Sequence, residues 1–259
     1  MPNPASALGE AIGKCVEVEI QTIIQQVVEP FGLFVDIGGA RIGKRRGQKL
    51  LLVNDTGTQY QIDTVVEDEN GNPLILVESK YIRYKKHNRD KASWTCVAHY
   101  KLRTTYPTIK KSIAVLLGNW SKPSKLLMES FGIDLIEIPF AAMVGALLKH
   151  QIIFDWPEKD SEIPAGSWLR YQQLSEQNKK EIARECLARG REELENAILS
   201  AIKLDPHSSK NVDQIELLIK TTHKEYFVKK FYRVTDAAQY LLSLTEDVAD
   251  LKGKLEARK

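Results

Sequence analysis

Residues 58–82 read TQYQIDTVVEDENGNPLILVESKYI, and this stretch decides the fold. Two segments rich in β-branched and aromatic residues, TQYQIDTVV and PLILVESKYI, flank the sequence EDENGNP. Asn70-Gly71 and Asn72-Pro73 within it are typical of a tight turn. The pattern therefore predicts an antiparallel hairpin.

Three charged residues interrupt these apolar strands. Glu78 and Lys80 are two residues apart, so the period of a strand places them on one face. The turn brings Asp63, in the middle of the first strand, back toward them. Charges in so hydrophobic a strand are expected to be paired, metal-bound or at the sheet edge. The sequence predicts one shared site; the alternative is a cross-strand salt bridge on a solvated hairpin.

Carboxylates on neighbouring strands have the donor chemistry that Mg²⁺ prefers. Asp63 and Glu78 are therefore the predicted metal ligands, with Mn²⁺ as the alternative ion. Such a metal polarises a phosphoryl group and lowers the pKa of bound water. Lys80 would hold or help deprotonate the attacking water and offset the charge that develops on phosphorus. The predicted reaction is hydrolysis of a phosphodiester.

The elements around the hairpin predict an α/β fold. Apolar residues recur at helical spacing from Ala5 to Glu29, and Pro30 ends that helix. Residues 91–104 are predicted to be helical, and KSIAVLLGNW reads as a buried central strand. A helix from Ser121 to Gly132 and the strand IDLIEIPF complete a mixed sheet flanked by helices.

GTQYQID at residues 57–63 and LVESK at residues 76–80 resemble the core motif of the PD-(D/E)xK nuclease superfamily. Ile62 stands where that family's proline is expected. The resemblance covers roughly residues 5–156 and implies a restriction-endonuclease-like core. It also implies an Mg²⁺-dependent DNA endonuclease, restriction-type as first choice. The alternatives are a junction-resolving or repair nuclease, and a non-catalytic DNA-binding protein on a nuclease scaffold.

Members of that superfamily often carry a further acid on the first helix, in a GxxxE setting. Here GKCVE, residues 13–17, matches that setting, so the resemblance implies Glu17 as an outer ligand. Glu10 and Glu19 are the competing choices. A surface glutamate with no role in the site is an equal reading of Glu17.

Basic residues follow Lys80 closely. Residues 83–111 contain nine Lys or Arg against the single acid Asp90, a pattern that favours contact with DNA phosphates. The glycine-rich loop IGGARIGKRRGQK, residues 37–49, adds a second basic segment. The alternative is an ordinary solvated basic face. The predicted DNA-binding residues are Arg83, Lys85, Lys86, Arg89, Lys91, Arg45 and Arg46.

Composition limits the remaining possibilities. The 259 residues carry a net charge of +3, too small for a polycation that binds by bulk charge. Three scattered cysteines predict no disulfide framework and a reducing cytoplasm. No apolar run is long enough to span a bilayer, so we expect no membrane partner.

The composition changes around residues 157–167, where charge, Pro and Gly predict a domain boundary. We therefore expect a nuclease core over residues 1–157 and a mainly helical accessory region over residues 158–259. That region would serve target recognition or dimerisation. Because cutting both strands of a duplex usually recruits two active sites, we expect a homodimer acting on double-stranded DNA.

Overall fold

The computed structural model describes residues 3–36, 51–53, 57–84, 88–203 and 211–244. A mixed five-stranded sheet lies between two layers of helices. Across the sheet, its strands are in the order β1 (Phe34–Asp36), β4 (Thr64–Glu67), β5 (Pro73–Ile82), β6 (Lys111–Gly118) and β7 (Asp134–Pro139). The predicted α/β architecture with a mixed central sheet is therefore confirmed. The helices are α1 (Pro4–Val28), α2 (Asn88–Thr105), α3 (Lys122–Ser130), α4 (Phe140–Leu148), α5 (Glu162–Gln172), α6 (Glu176–Leu187), α7 (Arg191–Ile202) and α8 (Val234–Leu242). The strands are β1 (Phe34–Asp36), β2 (Leu51–Val53), β3 (Gln59–Gln61), β4 (Thr64–Glu67), β5 (Pro73–Ile82), β6 (Lys111–Gly118), β7 (Asp134–Pro139), β8 (Ile215–Lys220) and β9 (Tyr226–Phe231).

Helix α1 begins where the side chain of Asn3 accepts a hydrogen bond from the backbone N–H of Ala5 at 2.9 Å. The predicted apolar stripe is buried against one face of the sheet. A single 3₁₀ turn, Glu29–Phe31, follows, and Gly32 ends it in the left-handed region at φ 67°. Only glycine adopts that conformation without strain, so the chain reverses there into β1.

The predicted hairpin is present as β4 and β5, which pair antiparallel. The carboxylate of Asp68 organises its turn, because it accepts hydrogen bonds from the backbone N–H groups of Asn70 and Asn72. The first predicted strand is interrupted, however. Its N-terminal part, β3, pairs with β2 in a separate two-stranded sheet, and Asp63 lies in the break before β4.

Strand β5 runs through the middle of the sheet and pairs parallel with β6, which in turn pairs parallel with β7. Its alternating side chains separate two cores. Val77 belongs to the core that includes residues of α1, α6 and α7, whereas Leu76 packs with Ala98 and Leu102 of α2. By the same alternation, Glu78 and Lys80 point to the α2 side of the sheet.

The helices that follow residue 157 differ from the predicted accessory region. Ile182, Leu194 and Ile198, on α6 and α7, belong to the same buried cluster as α1. The chain divides into compact units at Met1–Leu204 and Asp205–Lys259 instead. The charge and proline of the 157–167 segment mark a short loop, residues 157–161, and the start of α5, and not a boundary between domains, because the apolar faces of the later helices are needed to cover α1.

The second unit contains the antiparallel hairpin β8–β9 and helix α8. Phe231 of β9 and Tyr240 of α8 hold the helix on the hairpin, with ring centroids 5.3 Å apart. Within the described ranges, none of the helices combines the length and hydropathy needed to cross a bilayer.

Candidate active site

The structure brings Asp63, Glu78 and Lys80 together at the strand break. The ammonium of Lys80 lies 3.0 Å from Oδ2 of Asp63 and 3.2 Å from Oε1 of Glu78. Lys80 therefore bridges two carboxylates that come from different sides of the hairpin. The break between β3 and β4 makes this possible, because it frees Asp63 from the strand ladder.

Backbone amides fix the two carboxylates. The N–H of Ser79 donates to Oδ2 of Asp63 at 3.0 Å, and the N–H of Asp63 donates to Oε2 of Glu78 at 3.1 Å. Each acid is thus held by the main chain of the opposite segment. These two hydrogen bonds from the main chain fix the orientation of both carboxyl groups.

The site opens to solvent on the side of Lys80. Its side chain is 24% exposed, that of Asp63 13%, and that of Glu78 only 2%. Exposure therefore increases from Glu78 through Asp63 to Lys80, the most accessible of the three side chains.

Burial raises the pKa of Glu78 to about 8, and the charge of Asp63 adds to this effect against the opposing ammonium of Lys80. Burial also disfavours ionisation of Asp63, but Lys80 and the hydrogen-bond donors around it outweigh this and hold its pKa below the ordinary value. Burial opposes the charge of Lys80 as well, yet the two acids raise its pKa. Lys80 is consequently protonated at neutral pH.

A divalent cation fits this donor set. The ammonium of Lys80 is shared by two acids, and burial keeps a proton on Glu78 up to a pKa of about 8. Additional positive charge would favour the carboxylate form and release that proton. Across the described part of the chain, no group of three or more His, Cys, Asp or Glu side chains is arranged to hold a metal. Asp63 and Glu78 alone would supply protein ligands, as Mg²⁺ commonly accepts.

Glu17 reaches the site indirectly. Its Oε1 accepts hydrogen bonds from Lys14 at 2.7 Å and from the side-chain amide of Gln21 at 3.3 Å. The same amide nitrogen of Gln21 lies 3.2 Å from the backbone oxygen of Asp63. The sequence did not single out Gln21, although its position one turn after Glu17 places both on one helix face.

The two competing acids lie elsewhere on α1. Glu19 is buried and pairs with Arg184 of α6 at 3.2 Å. Glu10 lines a groove of about 390 Å³ together with Tyr81 and Lys91. Of the three candidates on this helix, Glu17 is the one whose hydrogen bonds lead to Asp63.

Arg83, a predicted DNA-binding residue, is directed into the protein instead. Its side chain is 12% exposed, and its guanidinium donates to the backbone oxygens of Phe154 and Trp156. The guanidinium also lies 3.6 Å from the centroid of the Trp156 ring. Arg83 therefore joins the end of β5 to the segment after α4.

The remaining predicted DNA-binding residues separate into two groups. Arg89 and Lys91 are exposed on the first turn of α2. The ammonium of Lys91 donates to the backbone oxygen of Tyr81 at 2.9 Å, and its partial burial there, together with the charge of Lys80, lowers its pKa. Lys85, Lys86, Arg45 and Arg46 lie outside the described residues.

His99 is a buried histidine beside the site. It projects from α2 and is completely buried, and neither ring nitrogen has a hydrogen-bond partner. Burial, with Arg103 and Lys80, lowers its pKa to about 3, so the imidazole is neutral. The structure therefore places His99 in the protein interior.

Comparisons with known proteins add little to this geometry. No family model matches the chain, and the search of curated proteins gave no match. A crystal structure of a protein of unknown function, AF1548, is similar over 73% of this chain and 97% of that chain. The TM-score is 0.33 and the sequence identity 12%, values too low to carry an argument about fold or function.

Proposed function

We propose that this protein is a metal-dependent endonuclease that hydrolyses phosphodiester bonds in DNA. The observation that carries the proposal is the bridge made by Lys80 between Asp63 and Glu78 within 3.2 Å, with the side chain of Lys80 24% exposed. Two carboxylates and an ammonium on adjoining strands are the groups that phosphodiester hydrolysis uses. The mixed sheet, with a charged hairpin followed by two parallel strands, supports a restriction-endonuclease-like core.

Asp63 and Glu78 would hold the metal, Mg²⁺ or Mn²⁺. When bound, such an ion polarises the phosphoryl oxygen and makes its bound water a better nucleophile. The hydrogen bonds from Ser79 and Asp63 to the two acids keep their oxygens in place, so the metal site needs little rearrangement on loading.

Lys80 acts on the reacting atoms directly. Its pKa is raised by the two acids, so it is a charged hydrogen-bond donor and not a general base at neutral pH. Lys80 uses two of its three N–H groups on Asp63 and Glu78 and donates the third to the attacking water. Its charge is worth most when the phosphorus gains negative charge in the transition state, and electrostatic effects of this type often dominate catalysis.

Gln21 and Glu17 would act as positioning residues. Gln21 ties α1 to the backbone of Asp63, and Glu17 orients the amide of Gln21. Asp63 is in a strand break with few ladder hydrogen bonds, so this contact from α1 limits its movement. We expect loss of Gln21 to weaken metal binding more than it changes the chemical step.

The test is incubation of the purified protein with supercoiled plasmid and Mg²⁺. We expect open-circular and linear products from the wild type, and at least a ~100-fold slower reaction from Asp63→Asn and Lys80→Met. Lys125→Met is the matched control, because Lys125 forms an ion pair with Glu137 on α3 and β7. Circular dichroism would verify that all variants are folded.

Two outcomes contradict the proposal. Equal cleavage by wild type and Lys80→Met would assign the activity to a contaminating nuclease. A folded wild type that binds DNA without cutting it in Mg²⁺ or Mn²⁺ would favour the non-catalytic scaffold.

A further inference from the structure

Helix α2 presents an exposed aromatic and apolar strip beside the candidate active site. Trp94 is 59% exposed, and Val97 and Tyr100 follow it at intervals of three residues. This spacing puts the three side chains along one face of the helix. The opposite face, which includes Cys96 and Leu102, is buried against the sheet. An indole this exposed contributes little to the core, so its position calls for another explanation.

Two contacts join this helix to the segments around the site. The ring of Trp94 lies 5.9 Å from that of Tyr60 on β3, and Tyr60 precedes Asp63 by three residues. One turn before Trp94, Lys91 is hydrogen-bonded to the backbone oxygen of Tyr81, the residue after Lys80. Helix α2 is thereby joined to β3 and to β5 next to the charged residues.

The charges around Trp94 indicate the kind of partner. Arg89 and Lys91 precede it on α2 and Lys101 follows, and Asp90 is the single acid of the helix. A cationic helix with an exposed indole matches a polyanion that also offers flat π surfaces. Nucleic acids combine these two properties, whereas an acidic protein surface offers the charge alone.

We propose that Trp94 stacks on an unpaired base of the substrate, so that the preferred substrate is DNA with a single-stranded segment. This inference rests on the proposed nuclease function and specifies its substrate class. Bases within a duplex are stacked on both faces and leave no room for an indole. Only a base that has left its stack, at a branch, a gap or a free strand, can pair its face with Trp94.

A stacking role for Trp94 bears on whether the protein is a restriction-type enzyme or a junction-resolving or repair nuclease. A restriction-type enzyme reads base edges in an intact duplex and gains nothing from an exposed stacking residue at the entrance of its site. A branch-resolving or repair enzyme meets unpaired bases next to the bond that it cuts. The Trp94 strip therefore favours the second class over the first.

The experiment measures binding by fluorescence anisotropy, with labelled 20-nucleotide oligo(dT) and a 20-base-pair duplex as probes. It uses the full chain carrying Lys80→Met, without metal. We expect tighter binding of oligo(dT) than of the duplex, and a loss of about 10-fold for oligo(dT) on Trp94→Ala. Trp94→Phe keeps a stacking ring and should lose less than about 3-fold. Leu169→Ala, an equally exposed apolar change on α5, is the control and should have no effect.

Three results would overturn the inference: an oligo(dT) affinity that Trp94→Ala leaves within 2-fold, a stronger affinity for the duplex, or a 10-fold preference for oligo(rU) over oligo(dT). The nuclease proposal is tested separately by cleavage. If the wild type cuts DNA but Trp94→Ala binds normally, only the stacking role fails. If Trp94→Ala weakens binding but the wild type never cuts, only the nuclease proposal fails.

Discussion

Replacing Arg83 should cost stability and not DNA contacts. Its guanidinium donates to two backbone oxygens, those of Phe154 and Trp156, and covers the Trp156 ring. Each buried carbonyl left without a donor costs about 1–3 kcal/mol, and the lost cation–π contact adds about 1–2 kcal/mol. We therefore expect Arg83→Ala, which leaves two carbonyls without a donor, to lower the free energy of unfolding by on the order of 3–8 kcal/mol. Urea denaturation followed by circular dichroism would measure this change.

Arg83→Lys and Arg89→Ala complete the series. A lysine cannot reach two carbonyls with a rigid fork, so Arg83→Lys should lose roughly half as much stability as Arg83→Ala. Arg89 is exposed on α2, so Arg89→Ala should change the free energy of unfolding by less than about 0.5 kcal/mol while weakening DNA binding. The reasoning is refuted if Arg83→Ala unfolds at the wild-type urea concentration and instead loses DNA affinity.

Three further predictions concern stability. Burial lowers the pKa of His99 from 6.5 to about 3, so below pH 6.5 the unfolded chain binds a proton that the native state excludes. The free energy of unfolding should therefore fall by about 1.4 kcal/mol for each pH unit below 6.5. His99→Leu should remove this contribution to the slope. Burial raises the pKa of Glu78 from 4.5 to about 8, so the metal-free protein should lose stability as the pH rises toward 8. Glu78→Gln should abolish that loss, and Mg²⁺ should reduce it. Equal dependence of stability on pH in the wild type and in Glu78→Gln would contradict this prediction. Gly118 has φ 97°, and a Cβ there would lie 2.1 Å from the backbone oxygen of Ile82. Gly118→Ala should therefore lower the melting temperature by several degrees. Gly145→Ala is the control and should not, because a Cβ at Gly145 meets open space.

The local pattern of the sequence was sufficient for much of the fold. The apolar stripe of α1, the turn at residues 68–73 and the buried strand β6 follow from periodicity and turn residues, which act over short distances. The shared face of Glu78 and Lys80 follows from the strand period. The convergence with Asp63 follows in part from the antiparallel pairing, because the hairpin is a local structure, but it also depends on the strand break before β4, which the pattern did not predict.

Long-range packing was beyond the sequence pattern. Arg83 reads as one more cation in a basic run, and its direction depends on carbonyls about seventy residues later. Gln21 is an unremarkable helix amide until α1 is placed over the strand break. The docking of α6 and α7 on α1 is a further example. The apolar face of each helix predicts that it is buried, but it does not predict which other helix it packs against.

The two acids of the site also complete the backbone hydrogen bonding around the strand break. The carboxylate of Glu78 accepts from the N–H of Asp63, and that of Asp63 accepts from the N–H of Ser79. A descendant of this protein that had no use for hydrolysis would still face a cost in replacing either acid, because an amide donor would lose its acceptor. Asp63 and Glu78 can therefore be retained after the catalytic activity is lost. In distant descendants, the presence of these two acids alone is weak evidence of an active enzyme.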